Sequence, residues 1–394
     1  MKIKLPNLKK YRIILFSLIA IFVLSIFSYS AYFLYSRSKV DNETAVSLED
    51  KLRQVESELN NLKNEDQYKI NQELKKEIDD INKTYKKAVS SYESLLDLKV
   101  KSKDTSLEDK LFAQALSLLS EKKYQEAEEV IVKLNKKIEE QFTKLAESEV
   151  KTSVGFSAPA SNNPPGSGYS QQKVSTDAGE FLVNIIAADI NSTRVIVDTA
   201  SNGDCLDNCP VLPLATYVSR NGAYAGVNGS YFCPASYPSC AGKTNTFDTL
   251  LMNKDKVYFN SSNNVYSANP GVIFGGSYVR FVSAVSQWGR DTSIDSMISN
   301  YPLLIMGGNI AFGGDDDPKK GSKGNRSFVA NKGSSIYIGV VMNATVAESS
   351  RVMKALGMEN ALNLDDGGST ALWSGGYKLG PGRDLPNAII FVNK

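Results

Sequence analysis

Apolar positions in the first third of the chain follow the spacing of helices. Positions 13–35 form an uncharged run that is long enough to span a bilayer as one helix. Beyond it, apolar side chains recur at alternating four- and three-residue intervals, which is the seam of a coiled coil: Leu48, Leu52, Val55, Leu59 and Leu62. Before Gly155 the chain has no glycine and a single proline, Pro6. We therefore predict that this part is helical throughout.

The helical pattern continues beyond this seam after one break. The register slips around Asp66, and apolar positions then continue the seam to Leu95. Two later periodic segments, 107–120 and 124–148, predict a helical hairpin joined by a short charged turn. We predict that residues 41–150 form a coiled-coil and helical-hairpin stalk with solvated charged faces. The seam also predicts pairing with a second copy, so a homo-oligomer is one expected assembly.

From residue 151 onwards the pattern changes to short apolar runs separated by glycine and proline. Residues 151–172, rich in Pro, Gly, Ser and Asn, predict a flexible linker. The remainder, 173–394, has the β-branched and aromatic residues typical of strands. A capping box from Thr345 to Glu348 predicts one helix between two apolar strands, a βαβ-like unit. The predicted fold class is α+β, with a mixed-sheet globular C-terminal domain on an N-terminal transmembrane helix and helical stalk.

The distribution of charge predicts how the chain is oriented. Five basic residues precede the apolar run, and only two follow it closely. The positive-inside rule then predicts a cytoplasmic tail at 1–12, a single span of the cell membrane at 13–35 and an extracytoplasmic C-terminal domain. A cleaved signal peptide is the alternative, but the run is long for one and lacks a small-residue cleavage site. With 45 basic and 43 acidic residues, the composition does not indicate a nucleic-acid partner.

Histidine is absent from the chain. Ser-His-Asp catalysis, Cys-His catalysis and His-ligated zinc are therefore excluded. The C-terminal domain contains only three glutamates, Glu180, Glu348 and Glu359. We therefore expect acid–base chemistry in this domain to depend mainly on aspartate.

All cysteines of the chain lie in one short stretch of the C-terminal domain: Cys205, Cys209, Cys233 and Cys240. An even number outside the cytoplasm predicts disulfides, and three connectivities are open. The local pairs Cys205–Cys209 and Cys233–Cys240 are favoured. A zinc site of four thiolates is the alternative, although the spacings differ from the usual pairs separated by two residues.

Three segments of the C-terminal domain join an apolar strand to residues suited to chemistry. Their polar residues are Asn228-Gly229, Arg326, and Asp365-Asp366-Gly367-Gly368. Glycines after two carboxylates allow close approach to backbone N–H groups, and arginine suits phosphate or carboxylate. The alternatives are an Asn-Gly turn, a surface ion pair and a turn with solvated aspartates. The acidic loop 313–318 is either a Ca²⁺ site or a solvated loop.

In this order, the segments resemble the phosphodiester glycosidase family over about 174–392. The elements that carry the resemblance are Asn228-Gly229-Ser230-Tyr231-Phe232, Arg326-Ser327-Phe328-Val329-Ala330, Leu364-Asp365-Asp366-Gly367-Gly368-Ser369-Thr370 and Arg383-Asp384-Leu385-Pro386-Asn387-Ala388. Three positions depart from the family pattern, because Ser230, Ala330 and Asp366 replace glycines. The added carboxylate of Asp366 has three possible consequences: a tuned site, a bound cation or a loss of hydrolysis.

The resemblance implies hydrolysis of a glycosyl phosphodiester or a related cell-surface or exopolysaccharide glycan. It implies Asp365 as base or nucleophile, Arg326 as the contact for the departing phosphate, and Asn228 as a group that orients sugar hydroxyls or water. Further substrate-binding residues are implied at Gly229, Tyr231, Asp366, Gly367, Gly368, Ser369, Thr370 and Arg383. The absence of histidine suits this reaction, since the phosphate group that departs leaves without strong protonation. No cofactor is established, and a divalent cation, Ca²⁺ or Mg²⁺, is left open.

Two other functions remain as alternatives. A non-catalytic glycan-binding or scaffold module would use aromatic side chains such as Tyr231, Trp288 and Trp373. A metal-dependent phosphodiesterase would need several carboxylates together, such as Asp248 with the aspartates at 365 and 366. An enzyme of the first kind requires its three catalytic residues to converge in one cleft, so the geometry of the site discriminates between these functions.

Overall fold

The computed structural model describes residues 8–64, 66–153, 158–262 and 267–394, without the side chains of 8–16, 19, 40–44, 66 and 146–153. The chain divides into two compact units, 1–81 and 82–394, which are described separately. The described helices are α1 (Leu8–Asn64), α2 (Asp66–Lys101), α3 (Ser106–Ser120), α4 (Tyr124–Ser153), α5 (Leu214–Arg220), α6 (Pro318–Gly321) and α7 (Val346–Ala355). The described strands are β1 (Gly168–Thr176), β2 (Gly179–Asp189), β3 (Thr193–Thr199), β4 (Ala225–Asn228), β5 (Leu251–Met252), β6 (Tyr258–Phe259), β7 (Gly271–Phe274), β8 (Val279–Val282), β9 (Ser296–Ser299), β10 (Leu303–Met306), β11 (Asn309–Ile310), β12 (Gly324–Lys332), β13 (Ser335–Ala344), β14 (Asn360–Asn363), β15 (Leu372–Ser374), β16 (Tyr377–Leu379) and β17 (Asn387–Asn393).

The N-terminal unit is helical. Helix α1 runs without interruption and contains the predicted coiled-coil seam, whose side chains are exposed by 48 % to 67 %. Residues 1–7 of the predicted tail, and the side chains at 13–16 and 19 of the predicted span, lie outside the described residues. Among the helices of the described residues, none is both long enough and apolar enough to cross a membrane.

In the second unit, the end of α2 forms a bundle with α3 and α4. The predicted helical hairpin is present as α3 and α4. Leu95 and Leu98 of α2 are buried in one cluster with Leu111 of α3 and Leu134 of α4. The seam that was predicted to continue to Leu95 therefore packs at this end against the hairpin, not against a second copy.

Part of the predicted flexible linker at 151–172 is described: positions 154–157 lie outside the described residues, and residues from 158 onwards precede or enter strand β1. Helix α4 extends to Ser153, and strand β1 begins at Gly168. Between them, the carbonyl of Ser161 accepts a hydrogen bond from the amide of Gln172 at 2.8 Å. The region before β1 is thus fixed to the domain by hydrogen bonds to that strand, which composition alone did not indicate.

Three sheets form the C-terminal domain. Their strand orders are β1-β2-β13-β12-β14-β10-β11, β16-β15-β4-β17-β3 and β6-β5-β9-β7-β8. The paired strands that are described run antiparallel throughout, so the prediction of mixed sheets is wrong. Val227, Phe274 and Ile338, one from each sheet, belong to the same buried cluster, so the sheets share one core.

Helix α7 covers the outer face of the seven-stranded sheet. Its predicted capping box is present: the Thr345 hydroxyl accepts from the Glu348 N–H at 3.1 Å, and the Glu348 carboxylate accepts from the Thr345 N–H at 2.7 Å. The elements β13, α7 and β14 follow in the predicted order, but β12 lies between the two strands. This insertion brings β12 and the end of β14 side by side.

Both favoured disulfides are confirmed. Cys205 is bonded to Cys209, and Cys233 is bonded to Cys240. The pairing removes the thiolates that a zinc site would need. Each bond closes a short loop, and the loop between Cys233 and Cys240 borders the site described next.

Candidate active site

The two aspartates of the predicted site lie where β14 leaves the seven-stranded sheet. The strand ends at Asn363, and one further bond, from the Leu364 N–H to the Ser327 carbonyl at 2.9 Å, keeps the chain beside β12. Asp365 and Asp366 follow, and a single turn of 3₁₀ helix begins at Gly367. Gly367 has a φ of +62°, which glycine adopts without strain. The turn presents both carboxyl groups to a cavity.

Asn228 joins the two sheets behind this turn. It is the last residue of β4 and is fully buried. Its amide nitrogen donates to the Asp365 carbonyl at 2.6 Å, and its amide oxygen accepts from the Ser327 hydroxyl at 2.8 Å and the Ala371 N–H at 3.2 Å. The side chain therefore fixes the backbone of the site. This geometry does not support the predicted contact with sugar or water.

Gly229 allows β4 to approach its neighbour closely. A Cβ at this position would lie 1.7 Å from Oδ1 of Asn387, so a larger residue would displace that side chain. The Gly229 carbonyl accepts from the Asp365 N–H at 2.9 Å. Gly229 thus supports the position of the turn at 365–369, and it does not line the cavity.

Four donors hold the carboxylate of Asp366. Its Oδ1 accepts from the Ser327 N–H at 3.1 Å. Its Oδ2 accepts from Arg326 Nη1 at 3.1 Å, the Asn363 amide at 2.9 Å and the Tyr231 hydroxyl at 3.4 Å. Burial raises the pKa of Asp366, while the charge of Arg326 and the surrounding donors oppose that rise. The site therefore contains a carboxyl group that is paired with a buried guanidinium.

Arg326 is itself anchored in the fold. Its Nε donates to the Ala344 carbonyl at 2.9 Å, and Nη2 donates to the carbonyls of Lys319 and Ser322. Only 5 % of the residue is exposed. Each of its three guanidinium nitrogens thus donates a hydrogen bond to a protein oxygen, and Arg326 holds the Asp366 side chain in position. The predicted direct contact with a departing phosphate is not supported by this arrangement.

Asp365 is the group best suited to proton transfer. Burial raises its pKa to about 7. The Ser369 hydroxyl and the charge of Arg383 favour its ionised form, whereas the neighbouring Asp366 disfavours it. A carboxyl group with a pKa near neutrality exchanges protons readily at physiological pH.

Arg383 closes the other side of the turn. Its backbone N–H donates to the Gly368 carbonyl at 2.8 Å, and its guanidinium lies where a Cβ on Gly368 would be, with Nη2 at 2.3 Å. Glycine at 368 therefore lets the arginine approach the carboxylates. Thr370 ends the turn with a hydrogen bond from its hydroxyl to the Asn325 carbonyl at 3.3 Å, which is an anchoring contact.

These residues surround a cavity of about 850 Å³. The predicted site residues that line it are Tyr231, Arg326, Asp365, Asp366, Gly367, Ser369 and Arg383. Asn228, Gly229, Gly368 and Thr370 support the wall from behind. The three predicted catalytic residues thus converge, although only two of them border the cavity.

Several lining residues were not identified from the sequence. Tyr237 and Lys319 come from the C-terminal domain, and Glu93 and Asp97 come from α2. Tyr237 lies in the loop closed by the Cys233–Cys240 disulfide. The two cysteines were the one feature of the sequence that could have drawn attention to this loop. The charge pattern around Asp97 predicted a solvated helix face and gave no indication of a cleft.

The alternative functions find less support in this geometry. Trp288 is 4 % exposed and Trp373 packs edge-on against Tyr377, so neither forms a platform at the cavity. Within the described residues, no group of three acidic or cysteine side chains could hold a metal ion. Asp248 lines the cavity, and burial raises its pKa. In the acidic loop, Asp315 and Asp317 contact Lys320.

Comparison with known proteins bears on the same region. Residues 221–392 match the phosphodiester glycosidase family. The resemblance drawn from the motifs is thereby confirmed. The matched range contains every predicted catalytic and substrate-binding residue, and it excludes β1–β3 and the helices before them.

Two solved structures are similar to part of this chain and share little sequence with it. The catalytic domain of zebrafish N-acetylglucosamine-1-phosphodiester α-N-acetylglucosaminidase, auto-inhibited by its pro-peptide, is 14 % identical, with a TM-score of 0.45 over 61 % of this chain and 87 % of that one. A hypothetical protein from Synechocystis is 15 % identical, with a TM-score of 0.42 over 57 % of this chain. The present chain covers only 62 % of that protein. No curated protein sequence matches the chain significantly.

Proposed function

We propose that this protein is a glycosidase that hydrolyses a glycosyl phosphodiester, with Asp365 as its acid–base residue. The observation that carries the proposal is the pair of carboxyl groups in one cavity, placed in different environments. Asp366 is matched by Arg326, whereas Asp365 has a pKa of about 7 and lies beside Arg383. Glycosidases usually act through a pair of carboxyl groups that are placed in different environments.

Asp365 acts in this proposal as the general base. When the bond between the sugar carbon and the phosphate oxygen breaks, a phosphate monoester departs as a stable anion, so the leaving group needs positive charge more than a proton. The attacking water must lose a proton, and ionised Asp365 accepts it. Arg383, which borders the cavity beside the turn, is the cation available to the departing phosphate. Arg326 contributes indirectly by holding Asp366 in place.

Hydrolysis of defined substrates tests the proposal directly. The full chain is expected to release the free sugar and a phosphate monoester from a glycosyl-1-phosphodiester, and to act much more slowly on an aryl glycoside without phosphate. Each assay is run with and without chelator, since loss of activity with chelator would identify a required divalent cation. Binding of glycans without turnover of any substrate would contradict the enzymatic function and favour the binding-module alternative.

The pH dependence gives a sharper prediction. The charged groups that face Asp365 are Asp366 and Arg383, and the chain has no histidine to titrate in the same range. We expect kcat/KM to rise as the pH passes through about 7 and then to level off, because the ionised form of the base is the active one. A profile that falls across this range would assign Asp365 as an acid instead.

We also propose that the protein is anchored in the cell membrane through residues 13–35, with the C-terminal domain extracytoplasmic. The uncharged run and the basic residues before it support this location, and disulfides are typical of oxidising compartments. The exposed seam of α1 supports association with a second copy. Recovery of the full chain as a monomer in the soluble fraction would contradict both statements.

A further inference from the structure

Helix α2 inserts two carboxylates into the candidate active site. Asp97 pairs with the guanidinium of Arg383 and accepts a hydrogen bond from the Tyr237 hydroxyl at 2.5 Å. Glu93, one turn earlier, accepts from Lys319 Nζ at 2.7 Å and from the Ser239 hydroxyl. Glu93 has a side chain only 6 % exposed, and that of Asp97 is 17 % exposed. Both carboxylates are thus held in the cavity by groups of the C-terminal domain.

The groups that receive these carboxylates form a compact cationic pocket. Lys319 Nζ lies 4.6 Å from the centre of the Tyr237 ring, and the Arg383 guanidinium carbon lies 5.2 Å from it. Two cations beside one aromatic ring, together with the hydroxyls of Tyr237 and Ser239, are suited to an anion with several oxygen atoms, such as a phosphate. The pocket also touches the catalytic turn, because Asp97 Oδ2 is 3.9 Å from the place of a Cβ on Gly367.

The contact between the helices and the domain is polar at this point. Each buried apolar cluster that contains residues of α2, α3 or α4 contains residues of the helices only, among the residues that the structure describes. The clusters of the domain likewise contain none from the helices. Although these helices and the domain belong to one compact unit, no apolar cluster of the described residues joins them, so this polar contact can open without exposing either core. The carboxylates are therefore exchangeable, unlike groups fixed in a common core.

We propose that Arg383, Tyr237 and Lys319 form a subsite for an anionic group of the ligand, and that Asp97 and Glu93 of α2 occupy it until such an anion displaces them. This inference rests on the proposed function for the identity of the ligand, a phosphate ester. A substrate phosphate would replace the carboxylate on Arg383, and α2 would move away from the pocket. The helical region then regulates the site as well as supporting the domain.

Binding of inorganic phosphate to the full chain tests the subsite without any assumption about turnover. The substitutions Glu93→Gln and Asp97→Asn keep the shape of the side chains and remove the competing charges. Because apparent affinity is lowered by the fraction of molecules in the closed form, the double variant is expected to bind phosphate about 10-fold tighter or more. The matched control is Asp79→Asn, an exposed carboxylate of the same helix, which should bind as the unaltered chain does.

Further variants keep the test decisive. Each single substitution should give a smaller gain than the double one, and Arg383→Gln in the double variant should abolish it. A phosphate affinity that is unchanged or weaker in correctly folded single and double variants would overturn the proposal, since the carboxylates would then be a fixed wall. With a glycosyl-1-phosphodiester, KM should fall and kcat should change little. If the double variant binds phosphate more tightly and hydrolyses no substrate, the subsite stands and the glycosidase function fails.

Discussion

Replacing Asp365 by Asn is expected to lower kcat/KM for a glycosyl phosphodiester by about 10²-fold to 10⁴-fold, the range typical of a lost general base. The substitution keeps the size of the side chain and its place at the end of β14. It removes the group whose pKa of about 7 makes proton transfer possible near neutrality. Initial rates over a range of substrate concentration, measured at pH 8, give the comparison.

The stability of the same variant serves as an internal control. The folded state raises the pKa of Asp365 from 3.8 to about 7, so it binds more protons than the unfolded state between these values. Stability contributed by this position therefore falls as the pH rises through that range. Asn removes the cost of ionising the group, so the Tm at pH 8 should rise, and the gain should vanish near pH 4. Asp255→Asn, on an exposed carboxylate, should change neither quantity. Near-normal turnover by Asp365→Asn would refute the assigned role.

Replacing Arg326 by Met is expected to reduce the free energy of unfolding by about 3–5 kcal/mol, which is the usual result of leaving one member of a buried ion pair alone. The side chains of Arg326 and Asp366 are only 6 % and 9 % exposed. Three backbone carbonyls would also lose their donor. Denaturant unfolding at neutral pH measures the loss.

A second substitution separates charge from packing. Adding Asp366→Asn to Arg326→Met removes the unpaired carboxylate, so it should recover part of the stability. Arg351→Met breaks an exposed pair with Asp177 and should cost no more than about 1 kcal/mol. If Arg326→Met were as mild as Arg351→Met, the contact between Arg326 and Asp366 would not act as a buried ion pair.

Local sequence signals predicted several structural elements correctly. The capping box begins α7 because its hydrogen bonds join residues only three positions apart. The favoured disulfides also link near neighbours. The carboxylates before two glycines pointed to the turn at 365–369, since glycine lets a ligand or side chain approach the backbone closely. Arg383 makes such an approach at Gly368.

The roles of residues that contact distant parts of the chain could not be predicted from local sequence. The sequence around an asparagine at the end of a strand is the same whether its side chain faces a ligand or bonds the backbone. Asn228 bonds a carbonyl 137 positions away. Arg326 matched the chemistry of a phosphate contact, but its partners are set by the sheet order, with β12 between β13 and β14. Glu93 and Asp97 lie in a charged helix, where periodicity predicts which side is apolar and not what the polar side meets.

The distances along the chain between interacting groups also set an order of assembly. During synthesis the N-terminal segments emerge first, and helices form from local contacts, so α2, α3 and α4 can fold while the cleft does not yet exist. Asp97 meets Arg383 only after another 286 residues have been made. The strands that build the pocket need long-range pairing, which is slow to form. The carboxylates of α2 are therefore already in place when the cationic pocket is completed, and each newly made molecule first reaches its folded state with that pocket filled.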